Sequence, residues 1–357
     1  MAKNIVVFSD GTGQEGGKGT NTNVYKLFNM VLDRSSEQVV FYDRGLGTGW
    51  RKVGGNIFGA GISKNIRDCY EFIFENYEAG DQIYLFGFSR GATTVRSLSG
   101  FLHLFGVLPK SRPELIKKAY KIYRKGNKKK RQKKADLFIK RNHTMWCKIK
   151  FLGVWDTVAA LGVPIKVLDV IVDHIPFYKH SFHDLSLSRS IENAYHGLAI
   201  DEERKMFLPT LWDSKVADYQ TLSQVWFCGV HTDVGGGYKE QELSDISLDW
   251  MLQNAEKHGL KIYSGHRIDI NGESNGEMHN SRGNMFTKLY PRKIRSWPAD
   301  THGKPTIHAS VLERTLNQRN KDDPPYKPWI LDQHSDYDTE PWKLNQTEAP
   351  SDQLDSK

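Results

Sequence analysis

Cysteine is scarce. Cys69, Cys147 and Cys228 are the three in 357 residues, an odd and scattered set without C-x-x-C spacing, which points to neither a disulfide framework nor a thiolate zinc site. Buried thiols are the expectation. No apolar run reaches the roughly 18 residues of a membrane-spanning helix, and "NIVVF" at 4–8 is too short for the apolar core of a signal peptide. Export by the general secretory route is therefore not expected, and the expected location is the cytoplasm. Internal repeats are absent too.

Acidic residues are missing from one stretch in particular. From Lys110 to Lys150 there are 17 Lys and Arg against Glu114 and Asp136, a local charge of +15 that leaves the remainder of the chain at −7. The net charge of +8 thus belongs to a basic arm inserted at about 110–148 into a mildly acidic body. Such an arm is either a solvated face or an attachment to an anionic surface. Its core "KKKRQKK" lacks the interleaved aromatics that stack on single-stranded bases, so membrane is the expected surface and no nucleic acid is expected.

With 38% hydrophobic residues the chain has enough apolar material for a sizeable core. Short runs rich in β-branched and aromatic residues, at 4–9, 38–43, 82–87, 148–155 and 224–230, read as buried strands. Segments 22–32 and 61–77 carry apolar residues at three- and four-residue spacing and read as helices. Strands alternating with helices predict an α/β fold with a mostly parallel sheet covered on both faces. The domain is expected to span 1–316, followed by a polar tail at 317–357 that is peripheral or disordered.

Gly87-Phe88-Ser89-Arg90-Gly91 fits G-x-S-x-G, and it stands between a predicted strand and the helical run "RGATTVRSLSGFLHLFG". That context lets a sharp strand-to-helix turn hold a serine above the sheet as a nucleophile, whereas the bland reading is a Gly-rich turn with an incidental serine. A serine hydroxyl needs a base and a group to orient it. Asp156 in "FLGVWDTVAALG" stands at a strand's carboxyl end and is the best acid, with a helix cap as its alternative. His231 in "WFCGVHTDVGGGY" is the preferred base; His308 is its main rival, and His196 and His302 are weaker ones. A metal set of His231, Asp233 and Asp10 is a further alternative.

The first loop, "SDGTGQEGGKGTNT" at 9–22, follows the strand that would feed an oxyanion loop. Its proposed donors are the amides of Gly11 or Thr12, together with that of Arg90. The loop nearly imitates a phosphate-binding P-loop, but Lys18 is followed by Gly19 and the required first glycine is Thr12. A nucleotide- or phosphate-binding protein, and an inactive hydrolase fold that binds anionic surfaces, stay as the alternatives to an enzyme.

"VVFSDGTGQ", "TNVYKLF", "YDRGLGTG", "LFGFSRGA", "FLGVWDTVAALG", "WFCGVHTDVGGGY" and "LSDISLDWML" follow one another in this chain. Their order resembles a family of α/β-hydrolase domains that includes catalytic domains of type VI secretion phospholipase effectors, over about residues 3–316. The resemblance implies Ser89, Asp156 and His231 as a triad and Asp10 as a residue shaping the oxyanion loop. It implies a serine hydrolase that cleaves carboxylic esters, phospholipids among them, without metal or organic cofactor. Members are often longer, with an added membrane-binding region. The apolar piece at 164–178 reads as a core helix, with a lid over an acyl pocket as the alternative.

Overall fold

The protein is described from a computed structural model covering residues 2–11, 17, 19–45, 56–158, 187–265, 268–285, 287–317 and 324–342. Its strands are β1 (Asn4–Ser9), β2 (Gln38–Asp43), β3 (Gln82–Phe88), β4 (Ile149–Trp155), β5 (Ile191–Ala199), β6 (Thr221–Phe227), β7 (Thr306–His308) and β8 (Asp338–Glu340). They form one sheet in the order β2-β1-β3-β4-β5-β6-β7-β8, every neighbouring pair parallel. The α/β architecture expected from the alternation of patterns is the one observed.

Strand residues alternate between two cores because successive side chains point to opposite faces. Ile5, Val7, Ile83, Leu85 and Leu152 pack under α2 (Asn56–Asn76) and α3 (Arg90–Phe105) through Ile66, Tyr70, Leu98 and Phe101. Val6, Phe8, Tyr84, Phe86 and Phe151 face the other way, toward Leu27 and Met30 of α1 (Asn23–Met30). Each such side chain, fully buried, contributes roughly 1.5–3 kcal/mol. All three cysteines are buried thiols, as expected.

The basic arm is a folded helical hairpin of α4 (Glu114–Tyr123) and α5 (Lys128–Asn142). Leu115, Ile116, Ala119, Tyr120 and Tyr123 bury one stripe of α4 against α2 and α3, whereas α5 buries only Ala135 completely. The hairpin's stem closes where Arg112 donates to Asn142 at 3.1 Å, beyond the carboxyl end of α3. Its far end reaches back: the Tyr123 hydroxyl donates to the Ser97 carbonyl at 2.8 Å, about two helical turns from Ser89.

Two expectations need correction. The run read as a strand at 224–230 pairs only to Phe227, and Val230 instead caps α6 (His231–Gly235). The segment after 316 is not all peripheral. Trp329 donates to the Ile200 carbonyl at 2.9 Å, Ile330 is fully buried, and β8 extends the sheet beyond β7. Backbone pairing with β7 and a hydrogen bond from the Trp250 indole to Glu340 at 3.0 Å place this polar strand, so no hydrophobic pattern announces it. The 164–178 piece lies outside the described residues, and among the described residues no helix is long and apolar enough to cross a membrane.

Candidate functional site

The strand order reverses between β1 and β3: the chain passes outward from β1 to β2 and then returns to β3 on the other side of β1. Loops at such a switch point diverge and leave a crevice at the carboxyl ends of the strands. Asp10 and Gly11 follow β1 there, and Ser89 follows β3. A Cβ added to Gly11 would stand 3.6 Å from the Ser89 Cβ, so the two loops are in contact.

Ser89 has φ 56° and ψ −119°, a conformation that costs a non-glycine residue on the order of 1–3 kcal/mol. Its amide donates to the Trp155 carbonyl at 3.0 Å, which ties the turn to the end of β4. The flanking glycines are there for close approach. A Cβ on Gly87 would come within 2.7 Å of the Ala92 nitrogen, and one on Gly91 within 2.0 Å of the Ser9 carbonyl oxygen. The backbone of α3 is thereby pressed against the end of β1. Arg90 is the first residue of α3, at the helix end whose N–H groups point out along the axis.

Asp156 follows β4 with φ 39°, fully buried, and its Oδ2 lies 2.5 Å from Nδ1 of His231. A carboxylate at that distance accepts the Nδ1 proton, which leaves Nε2 of the imidazole as the basic nitrogen. His231 is 4% exposed and opens α6. Its ring is held between Phe88, at 4.6 Å between centroids, and the edge of Phe207, at 4.8 Å. Ser89's own neighbour is thus one wall of the imidazole's slot.

The sequence pattern did not reveal the groups that fix this pair. Arg295 donates to both Asp156 oxygens, Nη1 to Oδ1 at 2.6 Å and Nη2 to Oδ2 at 2.8 Å, and also to the carbonyls of Ala199 and Phe207. Burial alone would push the Asp156 carboxyl up, but the Arg295 charge and hydrogen bonds, with those of His231, outweigh it and hold the carboxyl well below its usual range. Glu202, paired with Arg204 at 2.7 Å, accepts the His231 amide at 3.3 Å. Asp233 accepts the Val230 amide at 3.0 Å and binds His279 Nδ1 at 2.7 Å, bracing the turn that carries His231. No motif marks Arg295 or Glu202.

Asp10 joins the two ends of the first loop to β2. Its Oδ2 accepts from Thr22 at 2.6 Å and Tyr42 at 2.7 Å, and its Oδ1 accepts the Gly11 amide at 2.7 Å. Burial pushes the Asp10 carboxyl up to about 6 despite those bonds. The expectation for Gly11 changes accordingly: its N–H is committed to Asp10, not directed at an oxyanion. Thr12 and Lys18 lie outside the described residues.

The rival bases are placed elsewhere. His308 is buried at the start of α7 (Ala309–Leu316), capping it through Ser310, and burial brings its imidazole down to about 3. His196 lies inside β5, accepts the Thr157 amide at 3.1 Å and is likewise brought down to about 3, by burial first and then by the Arg96 charge. His302 bonds Thr301 on the surface. His231, Asp233 and Asp10 do not converge as a metal set, since each is bonded to a different partner, and no group of three ligands gathers among the described residues.

Comparison with known proteins adds to this geometry. The family model for the type VI secretion system phospholipase effector Tle1-like catalytic domain matches residues 3–254. An uncharacterised protein of Saccharomyces cerevisiae is 30% identical over 230 residues, covering 57% of this chain and 32% of the yeast protein. Among solved structures, an uncharacterised Pseudomonas aeruginosa protein aligns with TM-score 0.45 and 15% identity over 73% of this chain and 47% of its own. The Tle1 effector bound to the VgrG spike of the type 6 secretion system aligns with TM-score 0.39 and 19% identity, over 67% and 52%. The chain therefore spans about a third of the yeast relative and about half of each aligned structure.

Proposed function

The chain belongs to the family of Tle1-like type VI secretion phospholipase effector catalytic domains, and from that premise we propose that it is a serine hydrolase cleaving carboxylic ester bonds of phospholipids. One observation carries the reading: a buried Asp156–His231 pair at 2.5 Å stands at the same sheet edge as a serine held in a strained strand-to-helix turn. In this mechanism His231 Nε2 takes the Ser89 proton as Oγ attacks the ester carbonyl carbon. The tetrahedral oxyanion forms at the start of α3, where the Arg90 amide is a donor, and collapses with release of the alcohol, protonated by His231. His231 then activates a water, whose attack on the acyl-enzyme frees the carboxylic acid and Ser89. Asp156 fixes the ring and offsets the positive charge of the imidazolium.

The basic hairpin supports the membrane side of the same reading. Among the described residues, α5 leaves Lys128, Lys129, Lys130, Lys133 and Lys134 exposed, and Leu137 on the same helix is 50% exposed. Cations flanking an exposed apolar side chain suit the headgroup region of an anionic bilayer, each basic residue contributing on the order of 1 kcal/mol. The family further implies delivery by a dedicated secretion system.

The test is labelling by a fluorophosphonate, with the site located by mass spectrometry, followed by lipid hydrolysis assays. Labelling at Ser89 that His231→Ala abolishes, together with fatty-acid release from phospholipid vesicles, is the expected result. Labelling elsewhere, or release that persists in Ser89→Ala, refutes the assignment.

A further inference from the structure

Between α2 and α4 lies an open basin of about 410 Å³ lined by Ser63, Arg67, Lys117, Tyr120, Lys121, Arg124 and Lys125. Arg67 belongs to α2 in the body of the domain, not to the basic insertion, and Ser63 stands one turn before it. Lys117, Lys121 and Arg124 recur at helical spacing on α4, so both helices turn one face toward the same space. One aromatic contact joins the two walls: the Arg67 guanidinium lies over the Tyr120 ring at 5.8 Å.

No carboxylate lines the basin, and none of its five cations forms an ion pair among the described residues. Lys117 and Lys121 stand four residues apart on α4, a like-charged pair that costs a helix about 0.2–0.5 kcal/mol. Lys134 of α5 adds to the crowding by standing beside Lys125, whose ammonium it pushes below the usual range. A polyvalent anion in the basin would relieve the repulsion among the cations that line it.

We infer that the basin is a binding site for a phosphate group, supplied as the phosphomonoester headgroup of an anionic membrane lipid. A planar guanidinium beside several ammonium groups suits the oxygens of a dianionic phosphate, with Arg67 as the directional donor. The lipid source rests on the phospholipid-hydrolase reading above; the phosphate chemistry does not.

The test uses the full chain carrying Ser89→Ala, which holds lipid without turnover, and phosphatidylcholine vesicles containing a fixed share of phosphatidic acid. Two triple variants remove equal charge: Arg67→Gln/Lys117→Gln/Lys121→Gln in the basin, and Lys129→Gln/Lys130→Gln/Lys133→Gln on α5. Both variants should weaken vesicle binding, and the first should lose at least about tenfold more affinity than the second. Equal losses would overturn the site, since charge spread over the arm would then be the binder. Because Arg67 is half-buried, the exposed pair Lys117→Gln/Lys121→Gln repeats the measurement without disturbing packing, and unchanged affinity there also overturns it. Inorganic phosphate and glycerol 3-phosphate serve as soluble competitors; binding of either as tight as that of vesicles makes the ligand a free phosphate and refutes the membrane source. Ester turnover by the unsubstituted protein is measured separately. Absent turnover with selective vesicle binding would sink the hydrolase reading and leave the phosphate site standing.

Discussion

Arg295 and His231 share one oxygen of Asp156: Oδ2 accepts from Nη2 at 2.8 Å and lies 2.5 Å from Nδ1. The carboxylate is therefore neutralised before the imidazole acquires charge, and its orientation is set by a guanidinium that is itself 1% exposed. Breaking a buried ion pair leaves an uncompensated charge, so Arg295→Met should destabilise the fold by about 3–5 kcal/mol in urea unfolding. It should also move the acid limb of the kcat/KM profile to higher pH, because Asp156 then favours the imidazolium more strongly. A loss of stability with the acid limb in place would make Arg295 purely structural.

Ser89 is both the proposed nucleophile and a strained residue, so two substitutions should separate the roles. Ser89→Ala should lower ester hydrolysis by at least about a thousandfold while leaving thermal unfolding close to that of the parent. Ser89→Gly should be equally inactive yet more stable, by on the order of 1 kcal/mol, because glycine tolerates a φ of 56°. Equal melting temperatures for the Ala and Gly variants would mean that the turn stores no strain.

The positions of Ser89, Asp156 and His231 beyond strand ends were legible because each follows an apolar, β-rich run and stands near glycines that allow a tight turn. The pairing of Asp156 with His231, across 75 residues, follows from β4 and β6, with β5 between them, delivering their carboxyl ends to the same side of the sheet. Arg295 carried no comparable signal. It lies outside any regular element, 139 residues after its partner, and only the folded chain makes it an ion-pair residue. β5 was missed because "IENAYHGLA" mixes Glu, Asn and His into a strand whose polar members pair internally: Glu192 with Lys150, His196 with the Thr157 amide. β8 was missed because three polar residues joined through the backbone have no hydrophobic period to detect.

Asp10 gives a pH dependence of defined sign. Its carboxyl is raised from the ordinary 3.8 to about 6, so the folded state holds this proton more tightly than the unfolded chain. The resulting stability is fully present below about 4 and is lost as pH rises through 6; a shift of this size is worth about 2–3 kcal/mol. Asp156 acts in the opposite sense, its contribution being lost only at strongly acid pH. In Asp10→Asn the Asp10 share disappears, so the stability difference between variant and parent should change by that amount between pH 4 and 7 in urea unfolding. A difference that stays constant would show that Asp10 titrates normally.

Gly91 is where the nucleophile turn and the first loop are pressed together, and its substitution tests whether that contact sets the site. An alanine Cβ would meet the Ser9 carbonyl oxygen at 2.0 Å and the Asp10 carbonyl oxygen at 2.7 Å, both backbone atoms that cannot rotate away. The start of α3 must then part from β1, breaking the approach of Ser89 to Gly11. Overpacking of this kind costs at least about 1–3 kcal/mol, and more where only backbone can yield. Gly126, in the hairpin, provides the control, because a Cβ there meets nothing within 4 Å. Gly91→Ala should lower the unfolding midpoint and reduce fluorophosphonate labelling at Ser89 by at least about tenfold, whereas Gly126→Ala should change neither. Full labelling in a destabilised Gly91→Ala would show that the serine turn keeps its geometry without the support of β1.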